Sequence, residues 1–251
     1  MNLTLDIGNT AAKFAVFDGN SMIFNVSTDA DADRLKLLVK SIEARFAIEN
    51  CIISTVSLPF EDAAKALEGV RGGKYENIIE LDHATKIPIK NLYKTPHTLG
   101  NDRLAAAVGA AALFPGANCL VIDAGTAITY DYVRDGSEFA GGNISPGIPM
   151  RLKALHDYTS RLPLVEPVDT DDYFGRSTKE AISNGVVHGV LHEIQGYADD
   201  FEKKNVNSKI ILTGGGSIFL CKKLKNTIFA EPNLVSIGLN RILNYNVLKN
   251  T

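Results

Sequence analysis

Two segments of this chain share one pattern at an offset of 117 residues, nearly half of the chain's 251. Residues 3–17 read LTLDIGNTAAKFAVF, and residues 120–133 read LVIDAGTAITYDYV. In both segments, apolar or β-branched residues are followed by Asp, one variable residue and Gly, and then by Thr or Asn-Thr. Asp6 therefore aligns with Asp123. Solenoid repeats have periods of about 20 to 50 residues. The longer offset therefore predicts two similar domains in tandem.

Helical and strand patterns alternate along the rest of the chain. Residues 33–46, for example, carry apolar side chains near helical spacing, including Leu35 and Ile42. Strands alternating with helices predict an α/β fold with parallel pairing, and the repeated segments predict an antiparallel hairpin opening each half. We place the domain boundary near Gly116, which gives domains of residues 1–116 and 117–251. Further helices are predicted at 61–67, 101–114, 148–155 and 177–197, and strands at 51–56 and 209–212.

The composition is that of an ordinary globular chain. Hydrophobic residues make up 45% and charged residues 22%, which excludes a disordered or collagen-like protein. A net charge of -3 gives no electrostatic reason to expect a nucleic acid or membrane partner. The longest apolar run, residues 104–114, is shorter than the roughly 20 residues that span a bilayer. Three widely spaced cysteines suggest neither a disulfide framework nor a zinc site, and we expect a cytoplasmic enzyme.

The turn after each repeated strand has the chemistry of a phosphate site. Gly8 lets backbone N–H groups approach phosphate oxygens, while Asp6 faces the accompanying Mg²⁺ directly or through water. Lys13 follows on the next strand, where its ammonium can reach the phosphates. A hairpin whose Asp and Gly serve the turn alone is the alternative, and a single copy would favour it. Two copies at equivalent points favour the phosphate site, and residues 213–216 (TGGG) offer a further glycine segment for a nucleotide.

Other phosphate and metal patterns fail. A Walker A loop and a dinucleotide fingerprint are excluded because Tyr75 and Phe219 stand where those motifs require other residues. His188 and His192 are four apart on a predicted helix, but no third ligand accompanies them, so we interpret them as an ordinary helix face. The acidic segment 169–172 resembles the start of a calcium loop, yet Phe174 replaces the necessary glycine, which favours a solvated turn.

The segment Gly100-Asn101-Asp102-Arg103 begins the alanine-rich helix predicted at 101–114. The positive end of the helix favours an ionised Asp102. Arg103 beside it can hold a carboxylate or phosphate through two N–H bonds. A base beside an anion clamp suits the transfer of a phosphoryl group to a substrate hydroxyl. The alternative is a pair of residues that only caps the helix.

Seven segments together resemble one family, the type III pantothenate kinases, which belong to the superfamily of actin, the heat-shock chaperone ATPases and sugar kinases. Each segment is weak alone, but their order and spacing over nearly the whole chain are highly specific. They are DIGNTAAK (6–13), YKTPHTLGNDR (93–103), VIDAGTAITYD (121–131), GGNISPGIPM (141–150), TSRLP (159–163), GRSTKEAISNGVVHG (175–189) and TGGG (213–216).

The resemblance implies ATP-dependent phosphorylation of pantothenate to 4'-phosphopantothenate, the first step towards coenzyme A. It implies two tandem ribonuclease H-like domains with a nucleotide cleft between them, and a homodimer. It also implies ATP with Mg²⁺ or Mn²⁺, and a monovalent cation, K⁺ or NH₄⁺. A carboxylate at the end of a buried apolar strand is costly without a counter-charge, which fits a cation there.

The resemblance also assigns roles by position. Asp102 would be the catalytic base that accepts the proton of the pantothenate hydroxyl. Asp123 would bind the monovalent cation, and Asp6 would face Mg²⁺. The ATP-binding residues would be Asp6, Gly8, Asn9, Thr10, Lys13 and Thr126. The substrate-binding residues would be Tyr93, Gly100, Asn101, Asp102, Arg103 and Thr178.

Two positions depart from the family pattern. Asn101 replaces a small apolar residue, so its amide either contacts the substrate or caps the helix. Gly216 stands where relatives often carry an acidic residue, which affects the nucleotide base contact. The competing hypotheses are another small-molecule kinase or a nucleotide phosphatase of the superfamily, and a regulatory, non-catalytic relative. A phosphatase would need a residue that aligns water in place of the helix start at 100–103, and a regulatory relative need not have kept Asp102.

Overall fold

The computed structural model describes residues 1–8, 11–55, 75–168, 172–224 and 228–247. The chain divides into two compact units. The first unit comprises Met1–Gly116, Asp135–Ala140 and Asn233–Thr251, and the second comprises Ala117–Arg134 and Gly141–Pro232. A single cut near Gly116 therefore differs from these units, because two later segments join the first.

Both units are built from strands and helices. The strands are β1 (Asn2–Ile7), β2 (Ala11–Asp18), β3 (Ser21–Asp29), β4 (Asn50–Thr55), β5 (Asn77–Glu80), β6 (Lys90–Asn91), β7 (Asn118–Ala124), β8 (Ala127–Arg134), β9 (Glu138–Pro146), β10 (Ser208–Thr213) and β11 (Ile228–Ala230). The helices are α1 (Ala32–Arg45), α2 (Asn101–Leu113), α3 (Ile148–Asp157), α4 (Thr178–Lys204), α5 (Ser217–Cys221) and α6 (Leu234–Val247). A short 3₁₀ turn, Pro96–Thr98, precedes α2.

The predicted elements match most of these. The predicted helices at 33–46, 101–114, 148–155 and 177–197 correspond to α1, α2, α3 and α4, and the strands at 51–56 and 209–212 to β4 and β10. The helix predicted at 61–67 lies outside the described residues. The sequence reading missed α6, whose packing ties the C-terminal segment to the first unit. Among the described residues, every helix is too short or too polar to cross a bilayer.

The two sheets repeat one strand order. The first sheet runs β3-β2-β1-β4-β5, and the second runs β9-β8-β7-β10-β11 with β6 added beyond β9. In each, the first strand of the repeat has an antiparallel neighbour on one side, β2 or β8, and a parallel neighbour on the other, β4 or β10. The hairpin predicted to open each half is thus confirmed, and β1 and β7 are equivalent strands.

The faces of β1 carry different chemistry because side chains alternate along a strand. Leu3, Leu5 and Ile7 are buried in a core cluster that includes Leu35 and Val39 of α1. Asn2 and Asp6 lie on the opposite face. There the Asn2 amide donates hydrogen bonds to side-chain oxygens of α6, at 2.9 and 2.7 Å. Asp6 therefore lies at the end of β1, on the same face that packs against α6.

Two glycines let α2 and α6 pack backbone against backbone. A Cβ added at Gly238 would lie 1.8 Å from the carbonyl oxygen of Ala105, and one at Gly109 would lie 2.4 Å from that of Leu234. Contacts this short are available only to a residue without a side chain. The start of α2, which carries Asp102, is held in the first unit by this packing.

We expect Gly238→Ala to destabilise the protein by about 3 kcal/mol, because its methyl group forces the two helices apart. For a chain of this length that lowers the midpoint of thermal unfolding by about 6 to 12 °C. Gly196→Ala in α4 is the matched control, because a Cβ there meets nothing within 4 Å. It should be neutral or slightly stabilising. Equal midpoints for the two variants would contradict the close approach of α2 and α6.

Candidate active site

Asp6 lies where β1 ends, between two strands. Its register partners are Lys13 on the antiparallel β2 and Ser54 on the parallel β4. The following turn is closed by a hydrogen bond from the Gly8 N–H to the carbonyl of Ala11, at 3.0 Å. Asn9 and Thr10, which the sequence assigned to ATP, lie outside the described residues. The remaining predicted members of this loop, Asp6, Gly8 and Lys13, are brought together.

Burial and a second carboxylate both act on Asp6. Burial raises the pKa of Asp6 to about 6, and the negative charge of Asp102 contributes to the same shift. The Lys13 ammonium and the Ser54 hydroxyl act in the opposite direction. An electrostatic effect of this kind requires that Asp6 and Asp102 lie near each other. The structure thus joins the first turn to the start of α2, two segments almost a hundred residues apart.

The start of α2 fixes the Asp102 carboxylate. Asp102 Oδ1 accepts a hydrogen bond from the Arg103 N–H at 2.8 Å, and a Cβ added at Gly100 would lie 2.5 Å from that same oxygen. The Asn101 amide donates to the carbonyl oxygen of Leu81 at 2.6 Å, which attaches the helix to the segment after β5. Asp102 therefore satisfies one N–H of the helix, as in the capping alternative, and its negative charge also acts on Asp6.

Arg103 is held by aromatic rings. It is only 7% exposed, and its guanidinium lies 5.7 Å from the ring centre of Tyr93 and 5.9 Å from that of Phe139. The two rings are themselves 5.9 Å apart. Cation–π contacts of this kind orient a guanidinium without neutralising it. Tyr93 was predicted from the sequence, whereas Phe139 was missed because it comes from the separate segment Asp135–Ala140 of the first unit.

Asp123 occupies in the second unit the place that Asp6 has in the first. Its register partners are Thr129 on the antiparallel β8 and Thr213 on the parallel β10. The Gly125 N–H donates to the carbonyl of Ala127 at 3.0 Å, so this turn is one residue shorter than the first. Thr126 is exposed at its tip. The two predicted phosphate turns are therefore equivalent in topology.

The glycine segment 213–216 is folded tightly against Asp123. Gly214 has φ +85, and a Cβ there would lie 2.2 Å from Asp123 Oδ1. The Gly216 N–H donates to the carbonyl of Ala124 at 2.9 Å. Only glycine can bring the backbone so close to this carboxylate.

Each turn carboxylate has a buried hydroxyl as its parallel neighbour. Ser54 beside Asp6 is fully buried, and Thr213 beside Asp123 is 1% exposed. The Ser54 hydroxyl acts on the Asp6 carboxylate, whereas the Thr213 hydroxyl makes no hydrogen bond with any described residue. A buried hydroxyl without a partner costs about 1 to 3 kcal/mol, and such costs are typical of sites built for a ligand. Sequence reasoning missed Ser54 and named Thr213 only as the first residue of the glycine segment 213–216, because only strand register places the two hydroxyls beside the carboxylates.

Thr178 lies far along the sequence from the other predicted substrate residues. It is the first residue of α4, after the N-cap Ser177, whose hydroxyl and the Glu180 carboxylate form a capping box. It belongs to the second unit and lines an open, mostly apolar groove between α3 and α4. Tyr93, Gly100, Asn101, Asp102 and Arg103 belong to the first unit.

His188 and His192 form part of an aromatic cluster. Their ring centres are 6.5 Å apart, and the Tyr173 ring packs against that of His188 with centres 4.6 Å apart and planes tilted by 39°. Within the described ranges there is no group of three or more metal-ligating side chains.

The chain matches the family model described as type III pantothenate kinase over residues 2–200. This chain belongs to the type III pantothenate kinase family. It is 44% identical over 247 residues to a "Type III pantothenate kinase" of Bacteroides fragilis, covering 98% of both chains. It is 40% identical over 250 residues to one of Flavobacterium johnsoniae, covering 98% of this chain and 99% of the other.

Solved structures show the fold. A putative Baf family transcriptional activator from Campylobacter jejuni matches with a TM-score of 0.62 at 24% identity, covering 98% of this chain and 99% of the other. A putative 2-dehydro-3-deoxygalactonokinase from Sinorhizobium meliloti matches with a TM-score of 0.54 at 13% identity, covering 98% and 99%. The predicted α/β fold of the actin-like ATPase and sugar kinase type is confirmed.

The raised pKa of Asp6 predicts a pH-dependent stability of the metal-free protein. The unfolded carboxyl ionises near 3.8 and the folded one near 6, so the stabilising contribution of Asp6 is complete below the first value. It is lost as the pH rises through the second, by about 3 kcal/mol in total. Relative to Asp6→Asn, the wild type should lose that much unfolding free energy between pH 4 and 7 in EDTA. Asp18→Asn, which changes an exposed carboxyl at the end of β2 and keeps Asp6, is the control. This variant should lose as much unfolding free energy between pH 4 and 7 as the wild type does.

Proposed function

We propose that this protein transfers the γ-phosphoryl group of ATP to the hydroxyl of pantothenate, which gives 4'-phosphopantothenate and commits pantothenate to coenzyme A synthesis. Membership of the type III pantothenate kinase family supports the reaction. The assignment of residues rests on one observation. Asp102, at the start of α2, lies near enough to Asp6, at the end of β1, for its charge to raise the pKa of Asp6. A phosphate turn and a candidate base thereby share one site.

Asp102 is the proposed general base. Its carboxylate is positioned by the Arg103 N–H and lies at the positive end of α2. Phosphoryl transfer has a loose transition state, so the base contributes by orienting the hydroxyl as well as by accepting its proton. Arg103, oriented by its two rings, supplies the positive charge that would hold the substrate's carboxylate. Tyr93, Gly100, Asn101 and Thr178 complete the proposed substrate contacts, with the Asn101 nitrogen already bound to Leu81.

Asp6 is the proposed carboxylate for Mg²⁺ or Mn²⁺. A buried carboxylate with a second carboxylate nearby is relieved by a divalent cation, and oxygen ligands suit Mg²⁺. When bound, the metal would neutralise phosphate charge during transfer. Gly8 and Lys13 would contact the phosphates with Asn9 and Thr10, and Thr126 would contact ATP from the second turn.

Asp123 is the proposed ligand of a monovalent cation, K⁺ or NH₄⁺. The residues present fit such an ion, because the Asp123 carboxylate has the buried Thr213 hydroxyl as its strand neighbour and the carbonyl of Ala124 nearby. Oxygen ligands of this kind suit a hard cation. The ion would add positive charge beside the phosphates.

The general base is tested by the turnover of Asp102→Asn with ATP, Mg²⁺, K⁺ and pantothenate. The variant keeps the shape but loses the charge, so kcat should fall about 10² to 10⁴-fold while ATP affinity stays unchanged. Gly100→Ala should also lower kcat, because its Cβ displaces the same carboxylate while its backbone, at φ -59, accepts alanine. An unchanged kcat in Asp102→Asn would leave Asp102 as a helix cap. Phosphate release without pantothenate would indicate a phosphatase, and no turnover at all a regulatory relative.

The cation is tested by thermal unfolding with ATP in potassium, ammonium and sodium salts. The wild type should have a higher midpoint and activity in K⁺ or NH₄⁺ than in Na⁺. Asp123→Asn and Thr213→Val should lose that difference. Removal of a hydroxyl that lacks a partner costs the protein little, so Thr213→Val is expected to fold. Equal midpoints and rates of the wild type in all three salts would contradict the site.

We also propose a homodimer, as the resemblance implies, and a cytoplasmic location, where ATP is available. The apolar groove between α3 and α4 and the exposed ring of Tyr158 beside it support a protein contact on the second unit. Light scattering of the purified protein distinguishes a monomer of 27.1 kDa from a dimer of twice that mass. A monomeric mass at assay concentrations would refute the dimer.

A further inference from the structure

One salt bridge in the second unit joins three elements that the proposed mechanism does not use. Arg151 of α3 pairs with Oε2 of Glu193 on α4, at 2.5 Å. The same guanidinium donates to the Ser145 hydroxyl at 2.9 Å and to the carbonyl of Pro146 at 2.7 Å. We call Arg151 and Glu193 the clamp. It connects two helices to the last two residues of β9.

The clamp is itself held from β8. Glu193 Oε1 accepts a hydrogen bond from the Tyr130 hydroxyl at 2.9 Å, and the Tyr130 ring stacks on that of Tyr197 with centres 3.9 Å apart. Burial opposes ionisation of Glu193, but hydrogen bonds from Arg151, Ser145 and Tyr130 outweigh it and lower the pKa of the carboxyl. Both oxygens of Glu193 are occupied, so the pair has one well-defined geometry.

The clamp leads directly to the second phosphate turn. Gly147 follows Pro146, and its N–H donates to the carbonyl of Thr126 at 3.0 Å. A Cβ added at Gly147 would lie 2.3 Å from the carbonyl oxygen of Gly125 and 2.5 Å from that of Thr126. The backbone at Gly147 is therefore pressed against the turn, and the guanidinium of Arg151 fixes the residue just before it.

We propose that Arg151 and Glu193 are positioning residues for ATP: the clamp holds Pro146 and Gly147 in place, and Gly147 in turn holds Gly125 and Thr126 in the conformation that receives the nucleotide. This inference rests on the proposed contact between Thr126 and ATP. Tyr130 lies four residues after Thr126 on β8, so its bond to Glu193 fixes the outgoing strand of the same turn. The turn is thus braced at its tip and along its outgoing strand by one ion pair.

The geometry requires arginine rather than lysine at position 151. One guanidinium reaches a carboxylate, a hydroxyl and a backbone carbonyl in a fixed plane, whereas an ammonium on a flexible stem cannot hold all three directions at once. Arg151→Lys should keep the ion pair with Glu193 but lose part of the hold on Ser145 and Pro146. It is therefore an intermediate variant between the wild type and Arg151→Met.

The test measures KM for each substrate, kcat, and binding of ATP alone by calorimetry. Arg151→Met should raise KM and Kd for ATP about 10-fold, because the turn meets ATP in both the ground state and the transition state. The KM for pantothenate and kcat should stay within about twofold. Arg151→Lys should give a smaller rise, and Glu193→Gln a rise in the same direction. In the double variant the two effects should not add, because both act through one pair.

Lys153→Met is the matched control. Lys153 lies on the same helix and pairs with Asp157 at 2.7 Å, but both side chains of this pair are exposed. Its kinetic constants and ATP affinity should equal those of the wild type. Unchanged ATP affinity in Arg151→Met and Glu193→Gln overturns the proposal, as does an equal rise in both KM values. If Arg151→Met does not fold, Glu193→Gln and Arg151→Lys decide the matter.

The outcomes separate this inference from the proposed function. ATP binding without phosphorylation of pantothenate by the wild type overturns the function alone, and the calorimetric comparison of the variants still decides the clamp. A wild type that binds no ATP overturns both. Normal kinase activity with no effect of the clamp variants on ATP affinity overturns the clamp alone.

Discussion

The site depends on one constraint, a carboxylate placed at the end of a strand that has a parallel neighbour on one side and an antiparallel neighbour on the other. The antiparallel neighbour returns through a tight glycine turn, so backbone N–H groups lie beside the carboxylate. The parallel neighbour ends at the same edge and brings a hydroxyl next to it, Ser54 or Thr213. Because the chain builds this arrangement twice, Asp6 and Asp123 acquire similar surroundings. The two carboxylates differ in the other residues that are packed against them.

Those partners come from the glycines and helices packed at each strand end. In the first unit, the close approach of α2 and α6 at Gly109 and Gly238 fixes the helix whose first turn brings Asp102 towards Asp6. In the second unit, Gly214 brings its own backbone against Asp123. On the proposed mechanism, a second carboxylate near the first turn supplies a base, whereas a glycine backbone and a hydroxyl near the second would supply cation ligands. Phosphoryl transfer needs both, because it proceeds mainly by positioning and charge stabilisation.

The sequence predicts the parts of this site that are local, and it fails where register or long-range packing decides. The offset between Asp6 and Asp123 predicted the repeated hairpins, and the segment 100–103 predicted a helix start with a carboxylate. The place of the Ser54 and Thr213 hydroxyls beside the carboxylates could not be predicted, because nothing local distinguishes them from other strand hydroxyls. Phe139 and α6 reach the first unit from distant positions along the chain. Asn101 was left with two alternatives, a substrate contact or a helix cap, and its amide bonds instead to the carbonyl of Leu81.

The second turn is shorter than the first, and this explains why it is braced from outside. Four residues separate Ile7 from its partner Ala12 in the first hairpin, whereas three separate Ala124 from Ile128 in the second. A shorter turn exposes Thr126 at its tip and leaves its carbonyl to be satisfied by a neighbour. Gly147 supplies that N–H, and a residue with a side chain could not approach so closely. The position of Gly147 is then set by Arg151 and Glu193. The ion pair of Arg151 and Glu193 thus holds a tight turn from behind, as the proposed contact between its tip and ATP requires.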